Sequence, residues 1–177
     1  MVVIFFYLFN TVVPILLLLL LGSFFHVLIH ELGHALPVLF GSPGWATVYI
    51  GSYGDPGHSF GIRVGRLKIW IKYNPFLWFR GMCQPGGASF SINRQIGYVA
   101  CGPLGSLLLG AAACGLLTIG AIPGFLRLFF GFLVLFSTMG LLGSIVPAGR
   151  RRFTSDGRPV YPDLILMIRL WKSKRLA

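Results

Sequence analysis

Acid is the scarce ingredient of this chain. Its 177 residues hold four carboxylates against fifteen Lys and Arg, for a formal net charge of +11, and Glu31 is the sole glutamate. Charged residues make up 11% of the chain, against about 25% in an average soluble protein. A surface that poor in charge excludes an ordinary water-soluble globule. Cysteine is sparse too: Cys83, Cys101 and Cys114 are an odd number without metal-type pair spacing. That argues against a disulfide framework and a cysteine-ligated metal, and leaves the three as small apolar residues. Internal repeats and low-complexity segments are missing as well.

What fills the chain is apolar. Hydrophobic residues are 55% of it and the mean hydropathy is +0.80. Three apolar stretches are each long enough to cross a bilayer as a helix, so the expected class is a polytopic membrane protein. The length suits one compact membrane domain over residues 1–177 and leaves no room for a separate soluble catalytic domain. The first stretch, Val2 to Phe40, has no basic segment ahead of it and no small-residue cleavage site after it, so it reads as a retained span. As one helix it would be about 60 Å long, twice a hydrocarbon core. Asn10, Thr11 and Pro14 mark where it leaves the core or bends, which puts the span at about 14–36, ended by Pro37. The second and third spans fall at about 95–121 and 125–146, joined by the breaker run Gly120-Ala121-Ile122-Pro123-Gly124.

Three spans place the loop of residues 41–94 and the tail of residues 147–177 on one side. Fourteen of the fifteen basic residues lie in that loop and tail, and only Arg127 lies elsewhere. The asymmetry predicts a cytoplasmic loop and C-terminus with the N-terminus outside, in the cell membrane of a prokaryote. Topology and an anionic cytoplasmic leaflet then account for the net charge. Nucleic acid is not an expected partner, because no basic helix or aromatic-basic module accompanies the charge.

Within the loop, residues 47–51, 59–64 and 67–73 read as short strands separated by Asp55-Pro56-Gly57 and Gly65-Arg66. Leu67, Ile69, Ile71 and Tyr73 alternate with Lys68, Trp70 and Lys72, the pattern of a half-buried sheet. With Trp45, Phe76, Trp78 and Phe79 nearby, the sheet is expected at the cytoplasmic interface. The fold class is therefore a mainly α membrane protein, three transmembrane helices with a small interfacial β-sheet between the first and second.

Chemistry is concentrated in His30-Glu31-Leu32-Gly33-His34, inside the first apolar stretch. A bare charge at the bilayer centre costs roughly 3 kcal/mol or more, so an acid kept there needs a partner. On a helix His30 and His34 share a face and can each give a ring nitrogen to one Zn2+. Glu31, one residue round, can reach the water on that ion as general base. A catalytic zinc has three protein ligands plus water. A downstream glutamate is excluded because there is none, and a following Gly and third His are excluded because Pro37 and Phe40 stand at those places. His26 is about 12 Å along the axis from His34, too far to share the ion, and reads as packing or hydrogen-bonded support. Asp55 in its Pro-Gly turn reads as solvated, and Asp163 as a cap for the segment after it. Asp156, in Ser155-Asp156-Gly157 after the third span and on the side of His34, is the expected third metal ligand.

Three segments together resemble a known family: His30-Glu31-Leu32-Gly33-His34-Ala35 in the first span, Gly102-Pro103-Leu104-Gly105-Ser106 in the second, and Pro147 followed by Ser155-Asp156-Gly157. They are similar, in order and placement, to the signature elements of the site-2 protease family of intramembrane zinc metalloproteases. The resemblance covers about residues 14–160 without PDZ or CBS domains and implies a minimal three-helix core. It implies zinc held by His30, His34 and Asp156, with Glu31 as general base. Ser106 and Ser144 depart from the family, which often has asparagine at those points, and the gap from Pro147 to Asp156 is long. The reaction implied is hydrolysis of peptide bonds in or near a transmembrane segment of a membrane-protein substrate. An edge of the sheet at residues 45–73 is available for pairing with the extended chain. A catalytically silent relative that binds zinc or substrate helices without cutting is the alternative, and it would be expected to lose Glu31 or a ligand.

Overall fold

A computed structural model describes residue 6 and residues 8–87, 90–120, 122–146 and 152–176. Among them are three helices long and apolar enough to cross a membrane. The first, α1 (Val13–Gly41), continues a π-helical turn at Leu8–Val12. Next come α2 (Ile92–Leu117) and α3 (Gly124–Ile145), and a shorter α4 (Asp163–Leu176) closes the described chain. Pro147, Arg150 and Arg151, part of the expected tail, lie outside the described residues.

The expected stop at Pro37 does not occur, since α1 runs through it to Gly41. Proline removes one helical hydrogen bond and crowds the preceding turn, so the last turn of α1 must be held from outside. Arg66 supplies the hold. Its guanidinium donates to the carbonyls of Leu39, Ser42 and Gly44, the last at 2.8 Å, while the Ser42 hydroxyl donates to the Val38 carbonyl at 2.8 Å. A cation there also complements the negative end of the helix dipole. α2 ends earlier than expected, because Thr118 and Ile119 turn back onto Gly115 and Leu116.

Between α1 and α2 lie β1 (Trp45–Ile50), β2 (Ser59–Val64), β3 (Leu67–Lys72) and β4 (Gly81–Gly86), in sheet order β2-β3-β1-β4. β2 and β3 form an antiparallel hairpin, β1 runs parallel to β3, and β4 is antiparallel to β1 with Cys83 opposite Val48. The sequence reading missed β4, whose glycines and Pro85 oppose strand propensity. Proline is admissible there because β4 is an edge strand.

The sheet also sits differently from its expected place at the cytoplasmic interface. Ala46, Val48, Ile50 and Cys83 form one core with Val27, Ala35 and Val38 of α1, flanked by Phe24, Leu28, Leu32 and Leu39. The contact therefore runs some 22 Å along the side of the helix rather than beneath its end. Close packing of these aliphatic side chains along the helix supplies the dispersion contacts that hold the sheet there. Lys72, expected on the outer face of β3, is buried, and its ammonium pairs with Asp55 at 2.6 Å and with the Gly57 carbonyl. Asp55 is thus ion-paired, and that hydrogen bond holds its carboxyl below the usual range.

Gly81 lets β4 touch α1. A Cβ there would stand 2.5 Å from Val27 Cγ1 and 2.9 Å from Glu31 Cγ. Gly81→Ala is expected to destabilise by about 1–3 kcal/mol, read as earlier unfolding in detergent. Gly97→Ala, where a Cβ would meet nothing within 4 Å, should not lower stability.

Candidate metal centre

α1 carries His30 and His34 one turn apart, with Nε2 atoms 3.3 Å from one another. α2 decides how these rings face. The Tyr98 backbone carbonyl lies 2.7 Å from His34 Nδ1. A carbonyl only accepts, so Nδ1 carries the proton and neutral His34 keeps its Nε2 lone pair for the centre. His30 Nδ1 lies 2.9 Å from the Ser106 hydroxyl, which orients the second ring. α2 can approach this closely because of its glycines: a Cβ on Gly102 would overlap the His34 ring, and one on Gly105 would lie 2.9 Å from the Ile29 carbonyl oxygen.

The carboxylate that joins the histidines is Asp163, not Asp156. Asp163 Oδ2 is 3.3 Å from His30 Nε2, and Oδ1 is 3.5 Å from His34 Nε2. The Ser144 hydroxyl, at the end of α3, lies 3.1 Å from Oδ2. Asp163 begins α4, and Leu166 N–H bonds the Pro162 carbonyl in that first turn. Asp156 instead occupies the turn between β5 (Arg152–Phe153) and β6 (Pro159–Val160), exposed, 3.0 Å from Arg158 Nε and accepting from the Thr154 hydroxyl. The physical reason is local: Asp-Gly is a hairpin-turn signal, and Gly157 takes φ +79° to make that turn. Reading Asp163 as a cap gave its carboxylate to its own helix. The signal against that was the run Leu164-Ile165-Leu166, which draws the helix start inward, where a carboxylate needs partners.

Among the described residues His30, His34 and Asp163 form a group that can hold a metal ion. A tetrahedral ion with ligand bonds of about 2.0–2.1 Å has ligand–ligand edges of about 3.3–3.4 Å. The 3.3 Å between the two Nε2 atoms matches such an edge; Asp163 turns Oδ2 to His30 and Oδ1 to His34, and one ligand atom from each residue lies within 4.8 Å of the other two. Nδ1 of both rings is tied outward, the arrangement that usually orients ligating histidines.

Glu31 is buried between α1 and β4, its Oε1 2.9 Å from the place of a Gly81 Cβ and the Cys83 backbone N–H directed at it. Tyr98 closes the same corner, with its hydroxyl donating to the Cys83 carbonyl at 2.6 Å. His26 stays out of the ligand group, packed against Gly140 of α3. Cys83, Cys101 and Cys114 are free thiols.

No protein-family model matches the chain, and neither a curated protein nor a solved structure does. The site therefore rests on its own geometry. In a zinc titration of the detergent-solubilised protein, Asp163→Ala should weaken affinity by at least about 100-fold and Asp156→Ala should leave it unchanged. Ser144→Ala should fall between them.

Proposed function

We propose that the protein is a zinc-dependent endopeptidase that hydrolyses peptide bonds in or near transmembrane segments, akin to the site-2 proteases it resembles. The observation that carries this is the meeting of His30, His34 and the distant Asp163 around one point, with buried Glu31 as the next residue of α1. Neither departure from the family pattern leaves the cluster bare: Ser106 supports His30, and Ser144 supports Asp163.

Zinc at that point would acidify a bound water towards a pKa of about 7 and polarise the scissile carbonyl. The Glu31 carboxylate accepts the proton as water oxygen bonds to the carbonyl carbon, and it returns that proton to the amide nitrogen as the C–N bond breaks. Burial of Glu31 and His34, with His30 and Asp163 half-buried beside them, limits the access of bulk water and strengthens each of these interactions. From Gly124 to Ser144, α3 rises about 30 Å, a full hydrocarbon thickness, so the cluster lies towards one face of the apolar layer. The basic loop and tail make that face the cytoplasmic one in this reading, with an anionic leaflet beside them.

A substrate segment must be extended where it is cut. The free edge within residues 45–73 is β2, since β3 and β1 are interior and Glu31 and Tyr98 meet β4 at Cys83. β2 lies three strand spacings from β4, about 14 Å, so it would hold flanking residues rather than the bond itself.

The test is cleavage of a panel of single-span membrane substrates in detergent, with zinc content measured on the same samples. Wild type is expected to hold one zinc and cut; Glu31→Gln keeps zinc and loses cleavage by at least about 100-fold. Arg63→Pro on β2, whose N–H faces away from β3, slows cleavage with zinc unchanged if the edge is used. Zinc binding without cleavage by wild type would favour the catalytically silent alternative. Undiminished cleavage by Glu31→Gln would remove the mechanism.

A further inference from the structure

The four-stranded sheet buries one face against α1 and turns the other away from it. Along β2 the two faces alternate. Phe60, Ile62 and Val64 lie on the α1 side, opposite Ile71, Ile69 and Leu67, and stay exposed, while Ser59, Gly61 and Arg63 lie on the outer side. Those three outer residues also direct their backbone groups to the free edge. The His58 carbonyl accepts from Tyr73 N–H at 3.1 Å, so the hydrogen-bonded pairs with β3 fall at His58, Phe60, Ile62 and Val64, and Ser59, Gly61 and Arg63 face away. A strand added at this edge would bond to the residues whose side chains line the outer face.

That outer face carries cations without acids. Arg63 stands directly across from Lys68, in a non-hydrogen-bonded pair where side chains come closest. Like charges so placed are destabilising, and the chain does nothing to relieve them. Its four carboxylates are engaged elsewhere: Asp55 with Lys72, Asp156 with Arg158, Asp163 with the histidines and Glu31 against β4. Lys68 Nζ rests 4.3 Å from the centre of the Trp70 ring, and Arg63 Nε donates to the Gly65 carbonyl at 3.3 Å. Trp70 in turn lies over β2, since a Cβ on Gly61 would stand 2.7 Å from its ring. Glycine weakens a strand interior, so Gly61 is explained by the ring it admits. Arg63, Lys68 and Trp70, with Trp45, Thr47 and Tyr49 of β1, line one groove along this face, and no carboxylate lines it.

We infer that β2 selects for substrates that carry an acidic residue in the segment flanking the cut. An added strand places one side chain of its outer face beside Arg63, where a carboxylate meets two cations. Another, two residues away, falls beside Gly61 and meets the Trp70 ring. The alternate side chains fall beside Phe60, Ile62 and Val64 and are apolar. The pattern read is an acid and an aromatic or aliphatic residue separated by one apolar residue. Backbone pairing supplies affinity that any extended chain shares, and Arg63, Lys68 and Trp70 supply the choice among chains. They are specificity-determining residues, and β2 lies about 14 Å from β4, apart from Glu31 and the metal ligands. The identity of the occupant rests on the endopeptidase reading; the preference rests on register and charge.

Two fluorescently labelled decapeptides of alternating apolar and polar residues, identical except for Asp or Lys two residues from a Phe, test it. Their binding to the full-length Glu31→Gln protein in a neutral detergent is read by fluorescence anisotropy. The Asp peptide is expected to bind at least about 5-fold more tightly than the Lys peptide at low salt, with the gap narrowing as salt rises. Arg63→Glu with Lys68→Glu reverses the preference, and Arg63→Pro weakens both peptides about 10-fold by removing a ladder bond. Equal affinity for the two peptides overturns the inference. So does a preference that survives the double substitution, which would assign it to the net charge of the protein at large. Loss of the preference when phosphatidylglycerol is added to the micelle would give the groove to a lipid headgroup and overturn it too. Cleavage is read separately. Wild type that cuts single-span substrates while the peptides show no preference keeps the protease reading and loses this one; a preference shown by a protein that cuts nothing keeps the groove and sinks the protease reading.

Discussion

The close approach of α1 to α2 is the constraint on which the rest of the structure depends. A Cβ on Gly33 would overlap the Cys101 carbonyl oxygen, and one on Gly102 would overlap the His34 ring. Small residues at such crossings let backbones meet where lipid offers helices no hydrophobic drive to associate. Only at that separation does the Tyr98 carbonyl reach His34 Nδ1 and the Ser106 hydroxyl reach His30 Nδ1. The orientation of both candidate ligands is therefore a consequence of glycine placement as much as of the histidines.

Three serines inside this bundle belong to supported sets. Ser23 bonds the Leu20 carbonyl, Ser106 holds His30, and Ser144 bridges the Gly140 carbonyl and Asp163. Each set offsets the desolvation that an apolar surrounding imposes. The serines at 106 and 144 show how a short hydroxyl supports a ligand when the helices are packed closely enough for it to reach. The sheet answers the same demand from the other side, since β4 brings the Cys83 amide to Glu31 and Gly81 leaves the carboxylate room.

Much of this was legible in the residues. The three apolar runs, the strands around Val48, Ile62 and Ile69, and the pairing of His30 with His34 all follow from local periodicity, because 3.6-fold and two-fold patterns are written in neighbouring residues. The misreadings share a cause. Pro37 looked like a terminus because its rescuer, Arg66, lies far along the chain. β4 looked like a loop because its pairing with β1, rather than its composition, makes it a strand. Asp156 and Asp163 were separable only by what surrounds them, one in a hairpin turn beside Arg158, the other under Ser144.

The sequence by itself determined that this is an apolar, basic chain with helices of membrane length, and that His30, Glu31 and His34 lie on adjoining positions of one of them. Tertiary structure decided which carboxylate joins them, where the sheet lies against α1, and how each ring nitrogen is turned. The division follows from range. Helical spacing is a property of consecutive residues. A cluster that gathers α1, α2, the end of α3 and the first residue of α4 exists only once packing has brought those segments within a few ångströms.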